Sequence, residues 1–143
     1  MSQAINPGHI AYHLLIDLWD VPAGRRYMLA KVGAVKVLLD TIRRQVEMET
    51  LAEPIVLYAQ GQGKHWGPGV TAIVPLTDSH MSSHALEELG WVHYDLFSCQ
   101  SFDWEAVQKR LQQAYRGHGR AVLLKRHNRT DSPAEMVAWA KEW

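Results

Sequence analysis

The sequence predicts an α+β fold, a two-layer α/β sandwich in which a mainly antiparallel sheet carries helices on one face. Three observations lead there. A long segment repeats apolar residues at three- and four-residue steps, as one helical face does. Another alternates strictly, as a half-buried strand does. The elements run strand, long helix, several strands, helix, strand, with no second domain, internal repeat or low-complexity tract across residues 1–143.

Residues Met1 to Pro7 read as a short lead. Ile10 to Trp19 is rich in β-branched, aromatic and aliphatic residues and is soon followed by Pro22 and Gly24, which marks a largely buried strand. Leu29, Val32, Val35, Leu38, Leu39, Ile42 and Val46 then place one apolar stripe on a helix, with Lys31, Lys36, Arg43 and Glu47 on its solvated side. Pro54 precedes a strand over Ile55–Ala59. Gly61 to Gly69 holds too many glycines, and Pro68, to sustain a helix or a ladder, so it is a loop. Val70–Leu76 is the next strand and leads into Asp78-Ser79.

In Trp91–Cys99, Val92, Tyr94, Leu96 and Ser98 alternate with Trp91, His93, Asp95, Phe97 and Cys99. Asp103 caps a second helix that buries Val107, Leu111 and Ala114 and stops at Gly117-His118-Gly119. Ala121–Lys125 is a last strand. Ser132-Pro133-Ala134-Glu135 has the serine cap, first-turn proline and returning glutamate of a helix start, and the expected helix spans 132–143.

Bulk properties narrow the function. At 143 residues the chain suits one domain, burying roughly two thirds of its unfolded surface. Fifteen basic and fifteen acidic side chains cancel, so no electrostatic footprint recommends nucleic acid. One cysteine excludes an internal disulfide and fits a reducing cytoplasm. No apolar run approaches the ~18 residues a membrane span needs, and no secretory signal opens the sequence. Eight histidines, among them His65, His80, His84 and His93, lack the cysteine pair or His-Glu-His pattern of a zinc site, so no metal is expected. No glycine-flanked nucleophile elbow surrounds any serine.

The chemistry concentrates in Asp78-Ser79-His80-Met81-Ser82-Ser83-His84. A histidine follows Ser79 by five positions, and the only thiol, Cys99, lies twenty positions on. A serine hydroxyl aimed at the preceding carbonyl can shift the acyl group from nitrogen to oxygen. Loss of the α-proton then expels the Asp78 carboxylate, and hydrolysis leaves a ketone on residue 79. The products are fragments 1–78 and 79–143. Such a ketone condenses with a substrate amine and draws off electrons as carbon dioxide leaves, as pyridoxal phosphate does.

This segment, with Glu88-Leu89-Gly90-Trp91 and Asp95-Leu96-Phe97-Ser98-Cys99, resembles the prokaryotic S-adenosylmethionine decarboxylases, a pyruvoyl-dependent family. Weaker agreement runs from about His13 to about Lys125. The resemblance implies that Ser79 is the pyruvoyl precursor and that His84 assists processing, a task suited to neutral imidazole. It implies that Thr71 stands where the family has a processing serine, and that Asp78, in place of glutamate, contributes only its backbone carbonyl. Cys99 would return a proton to the substrate carbon, and Glu88 would hold the ribose hydroxyls.

The family's adenine-stacking pair aligns with His65 and Leu86, with Trp66 as a substitute stacking face. The implied function is supply of the aminopropyl donor for spermidine. The implied assembly is a cytoplasmic homodimer, pairing sheets face to face as αββα with active sites at the interface. Two alternatives stand. In one, the same chemistry acts on arginine or ornithine, with Glu87 and Glu88 meeting the cationic side chain. In the other, an uncleaved relative serves as a binding or regulatory partner.

Overall fold

A computed structural model describes residues 11–61, 67–127 and 131–143. In chain order the elements are β1 (Ala11–Trp19), a 3-10 helix (Ala23–Leu29), α1 (Val32–Gln45), β2 (Ile55–Ala59), β3 (Gly69–Leu76), β4 (Ser79–Leu86) and β5 (Trp91–Ser98). α2 (Trp104–Tyr115), β6 (His118–Arg126), the single turn α3 (Pro133–Met136) and β7 (Val137–Glu142) complete them. The strands form one sheet in the order β2-β3-β4-β5-β1-β6-β7. Every neighbouring pair is antiparallel. The α+β sandwich read from the sequence is the fold observed.

Alternation decides which face is covered. Leu14, Ile16 and Leu18 of β1 and Val92, Tyr94 and Leu96 of β5 are fully buried. They meet Val35, Leu38, Leu39 and Ile42 of α1 and Val107, Leu111 and Tyr115 of α2 in one apolar core. Asp103 caps α2 as expected, accepting the Ala106 amide at 3.1 Å. Among the described residues, no helix covers the opposite sheet face. On it lie His13, His84, His93 and Asp95, half-buried or exposed, together with the exposed apolar side chains Ile55, Leu57 and Ile73.

Two turns fix the β3–β4–β5 meander that holds the serine-rich segment. Thr77 and Asp78 alone join β3 to β4, because Leu76 pairs directly with Ser79. Asp78 takes φ 59°, a left-handed conformation that aspartate tolerates better than most residues. At the other end Gly90 has φ +61° and passes within 2.9 Å of the Arg26 guanidinium at the point where a Cβ would sit. Arg26 ties this turn to the chain after β1 by donating to the carbonyls of Val21 and Glu87 at 3.0 and 3.1 Å.

The expected helix over 132–143 is corrected. The capping box forms, with Ser132 accepting the Glu135 amide at 3.3 Å, but helix persists for only one turn. Val137–Glu142 instead adds an edge strand to β6, and Trp143 closes it with reciprocal backbone bonds to Gly119 at 3.0 and 3.1 Å. A start signal fixes where a helix begins; here an unpaired sheet edge offers six residues a ladder, and the ladder wins.

Candidate active site

Ser79 opens β4 with its side chain on the helix-covered side, in register with the buried Leu76 across β3 and the buried Ser98 across β5. Its hydroxyl donates to Ser98 Oγ at 2.8 Å. Ser98 Oγ also accepts the Gln100 amide at 2.9 Å. The amide of Cys99 donates to the carbonyl oxygen of Asp78 at 3.1 Å. The peptide bond between residues 78 and 79 is therefore held on both sides. Its carbonyl is polarised by a backbone donor, its following hydroxyl is oriented, and Asp78, which carries the carbonyl, sits in a left-handed conformation. The Cys99 thiol is exposed beside this turn.

Thr71 and His84 lie elsewhere. They are cross-strand partners on the open face, with Thr71 Oγ1 3.2 Å from His84 Nδ1. That contact fixes the imidazole orientation whichever nitrogen carries the proton. At a rise of ~3.3 Å per residue, five steps along β4 separate His84 from Ser79 by about 17 Å. The odd spacing also puts their side chains on opposite faces. Glu88 is farther still, in the β4–β5 turn, where its carboxylate lies 3.3 Å from the position a Cβ on Gly67 would take. Next to it a cleft of ≈ 800 Å³ is lined by Tyr58, Gly61, Gly67, Thr71, His84 and Leu86, among others. His65 and Trp66, expected to face the substrate, lie outside the described residues.

The structure thus gathers Asp78, Ser79 and Cys99 at one end of the meander, and Thr71, His84 and Glu88 along the cleft toward the other. One chain does not unite them.

Three features went unread in the sequence. Ser98 belongs to the alternation and to the Asp95–Cys99 motif, but neither gives it a role; its signal is a small polar residue on an inward face otherwise made of Val92, Tyr94 and Leu96. The backbone amide of Cys99 carries no sequence signal. Tyr58 enters the cleft, and its hydroxyl donates to Glu87 Oε2 at 3.3 Å. Desolvation and the neighbouring Glu87 carboxylate push that phenol above its usual range, so it remains a donor.

The open face between the two clusters carries a polar network. His13 Nε2 meets Asp95 Oδ2 at 2.9 Å, Ser82 donates to the other oxygen of Asp95, and His93 Nδ1 meets Asp17 Oδ1 at 2.9 Å. Burial pushes the Asp95 carboxyl up, but the bonds from His13 and Ser82 and the nearby charges of His13 and His93 outweigh it and hold the group below its usual range. Among the described residues no three His, Cys, Asp or Glu side chains come together as a metal site.

Comparison with known proteins agrees with this architecture. A family model described as S-adenosylmethionine decarboxylase matches residues 12–129. The S-adenosylmethionine decarboxylase proenzyme of Methanococcus aeolicus is 29% identical over 91 residues, 64% of this chain and 69% of that protein. Its counterpart from Archaeoglobus fulgidus is 28% identical over 91 residues, 63% and 71% of the two chains. The solved adenosylmethionine decarboxylase of Aquifex aeolicus superposes with a TM-score of 0.65 at 20% identity, covering 87% of this chain and 97% of that one.

Proposed function

The chain belongs to the S-adenosylmethionine decarboxylase family, and from that premise we propose that it is a self-processing, pyruvoyl-dependent decarboxylase acting on S-adenosylmethionine. In this reading it works in the cytoplasm and supplies the aminopropyl donor for spermidine.

The observation that carries the reading is the pair of bonds around residues 78 and 79. Ser79 Oγ attacks the Asp78 carbonyl carbon, and the Cys99 amide, already on the carbonyl oxygen at 3.1 Å, receives the negative charge that develops there. Neutral imidazole of His84, contributed by a second protomer, takes the α-proton of residue 79, and the backbone carboxylate of Asp78 departs. Water then replaces the nitrogen, released as ammonia. These residues fit a pyruvoyl group at position 79. That group supplies an electrophilic carbonyl that accepts the electron pair of the bond to carbon dioxide. The exposed Cys99 thiol returns a proton to the substrate carbon, Glu88 binds the ribose hydroxyls, and His65 and Trp66 flank the adenine.

The distance between the two clusters supports a homodimer whose sheets pair face to face. His84 lies about 17 Å along β4 from the Ser79 of its own chain. A two-fold pairing lays the 84–88 end of one sheet over the 79 end of the other. The same pairing covers Ile55, Leu57 and Ile73, whose exposure is otherwise costly.

A second reading keeps the chemistry and changes the substrate. Leu86 lines the cleft where an aromatic face would stack on adenine, and an aliphatic wall near Glu87 and Glu88 suits arginine or ornithine. Carbon dioxide release from purified protein separates them. Release from S-adenosylmethionine alone supports the first reading; release from ornithine or arginine alone refutes it.

A further inference from the structure

Building on the self-processing reading, we propose that Ser98 is a positioning residue for the acyl shift. It holds the Ser79 hydroxyl so that a lone pair stays free for the Asp78 carbonyl carbon.

The site is built for this. Ser98 is fully buried, on the face of β5 whose other members are the aliphatic Val92 and Leu96 and Tyr94, which has its own partner in Met81. A hydroxyl there is costly unless partnered, and an apolar residue of similar size would satisfy packing alone. Ser98 Oγ accepts from two donors, Ser79 Oγ at 2.8 Å and the Gln100 amide at 2.9 Å. With both lone pairs engaged, Ser98 keeps its own proton and is not the base. Its role is directional: the Ser79 proton points at Ser98, which fixes the rotamer and turns the remaining electron density of Oγ away from that bond.

The adjacent residue completes the arrangement. The Cys99 amide grips the Asp78 carbonyl, so two consecutive residues of β5 hold the nucleophile and the electrophile. In the step itself the bond from Ser79 Oγ to the carbonyl carbon forms and the amide C–N bond breaks. The hydroxyl proton ends on the freed nitrogen of residue 79. Nothing is gained or lost, so geometry is the main lever on its rate.

The test compares Ser98→Thr, which keeps the hydroxyl, with Ser98→Val, which has the same shape without it. Each full chain is made by cell-free translation, and conversion to the two fragments is followed by mass spectrometry. Hydroxylamine is added in parallel to trap the ester as a hydroxamate on Asp78. Melting temperature is read on uncleaved Ser79→Ala backgrounds. Expected are cleavage within about threefold of wild type for Ser98→Thr, a slowing on the order of a hundredfold for Ser98→Val, and less trapped ester in the latter. Ser98→Ala, which removes only the oxygen, should show the same slowing if Ser98→Val does not fold. Equal cleavage by the Thr and Val variants overturns the proposal. So does a build-up of ester in Ser98→Val, which would place its effect after the shift. A wild-type chain that never cleaves refutes the self-processing reading itself, whereas cleavage indifferent to Ser98 refutes only this inference.

Discussion

The backbone amide of Cys99 donates to the carbonyl oxygen of Asp78 at 3.1 Å, across the turn that joins β3 to β4. This places the thiol and the proposed oxyanion donor in one residue but on different atoms, so substitution can separate them.

Cys99→Ala keeps the amide and removes the thiol. Self-cleavage should proceed within about threefold of wild type, while turnover on S-adenosylmethionine falls by about a hundredfold or more, the usual worth of a lost proton donor. Fragment formation and carbon dioxide release, measured on one sample, check both halves. Loss of cleavage together with turnover would assign the thiol to processing.

In the proposed acyl shift Asp78 contributes its left-handed backbone and its carbonyl, not its side-chain carboxylate. Asn tolerates that conformation, so Asp78→Asn should cleave within about threefold of wild type. Asp78→Val, β-branched and strained there by about 1–2 kcal/mol, should shift the turn and slow cleavage at least severalfold. Equal rates in the two variants would show that the φ of 59° is incidental.

The network around Asp95 predicts a pH-dependent stability. Its folded pKa lies below the ordinary 3.8, so its contribution is present at neutral pH and is lost as pH falls through and below that value. Asp95→Asn should cost about 1–2 kcal/mol at pH 7, a modest figure because the group is partly solvated. The gap from wild type should be smaller at about pH 3 than at pH 7. Urea melts at the two pH values measure it, and a gap that widens in acid would reverse the sign.

Leu86 lines the cleft without an aromatic face. Leu86→Trp should lower KM for S-adenosylmethionine by about two- to tenfold, since a stacked ring pair is worth about 0.5–1.5 kcal/mol. Unchanged KM for S-adenosylmethionine with activity on ornithine or arginine would favour the basic amino acid as substrate.

Where periodicity was strong, the sequence was sufficient. The stripe from Val35 to Ile42, the alternation from Val92 to Ser98 and the Asp103 cap all lie where expected. β4 was read only as a reactive segment, because Ser79-His80-Met81-Ser82-Ser83-His84 lacks the β-branched and aromatic residues that mark strands. Its neighbours on both sides impose the ladder instead. β7 was missed for a related reason: the Ser132 cap is a local signal, whereas the edge of β6 that captures Val137–Glu142 is brought there only by folding. Of the candidate site, residue types were legible and separations were not. Spacing named Ser79 and His84 together, and the extended conformation of β4 drives them apart and onto opposite faces.

The most direct test is the intact mass of freshly purified protein, followed by Edman sequencing of any product. The account predicts two species, 1–78 and 79–143, the second blocked to Edman chemistry because residue 79 ends in a ketone. One full-length species that persists for days, or a fragment beginning with a free serine amine, would contradict it.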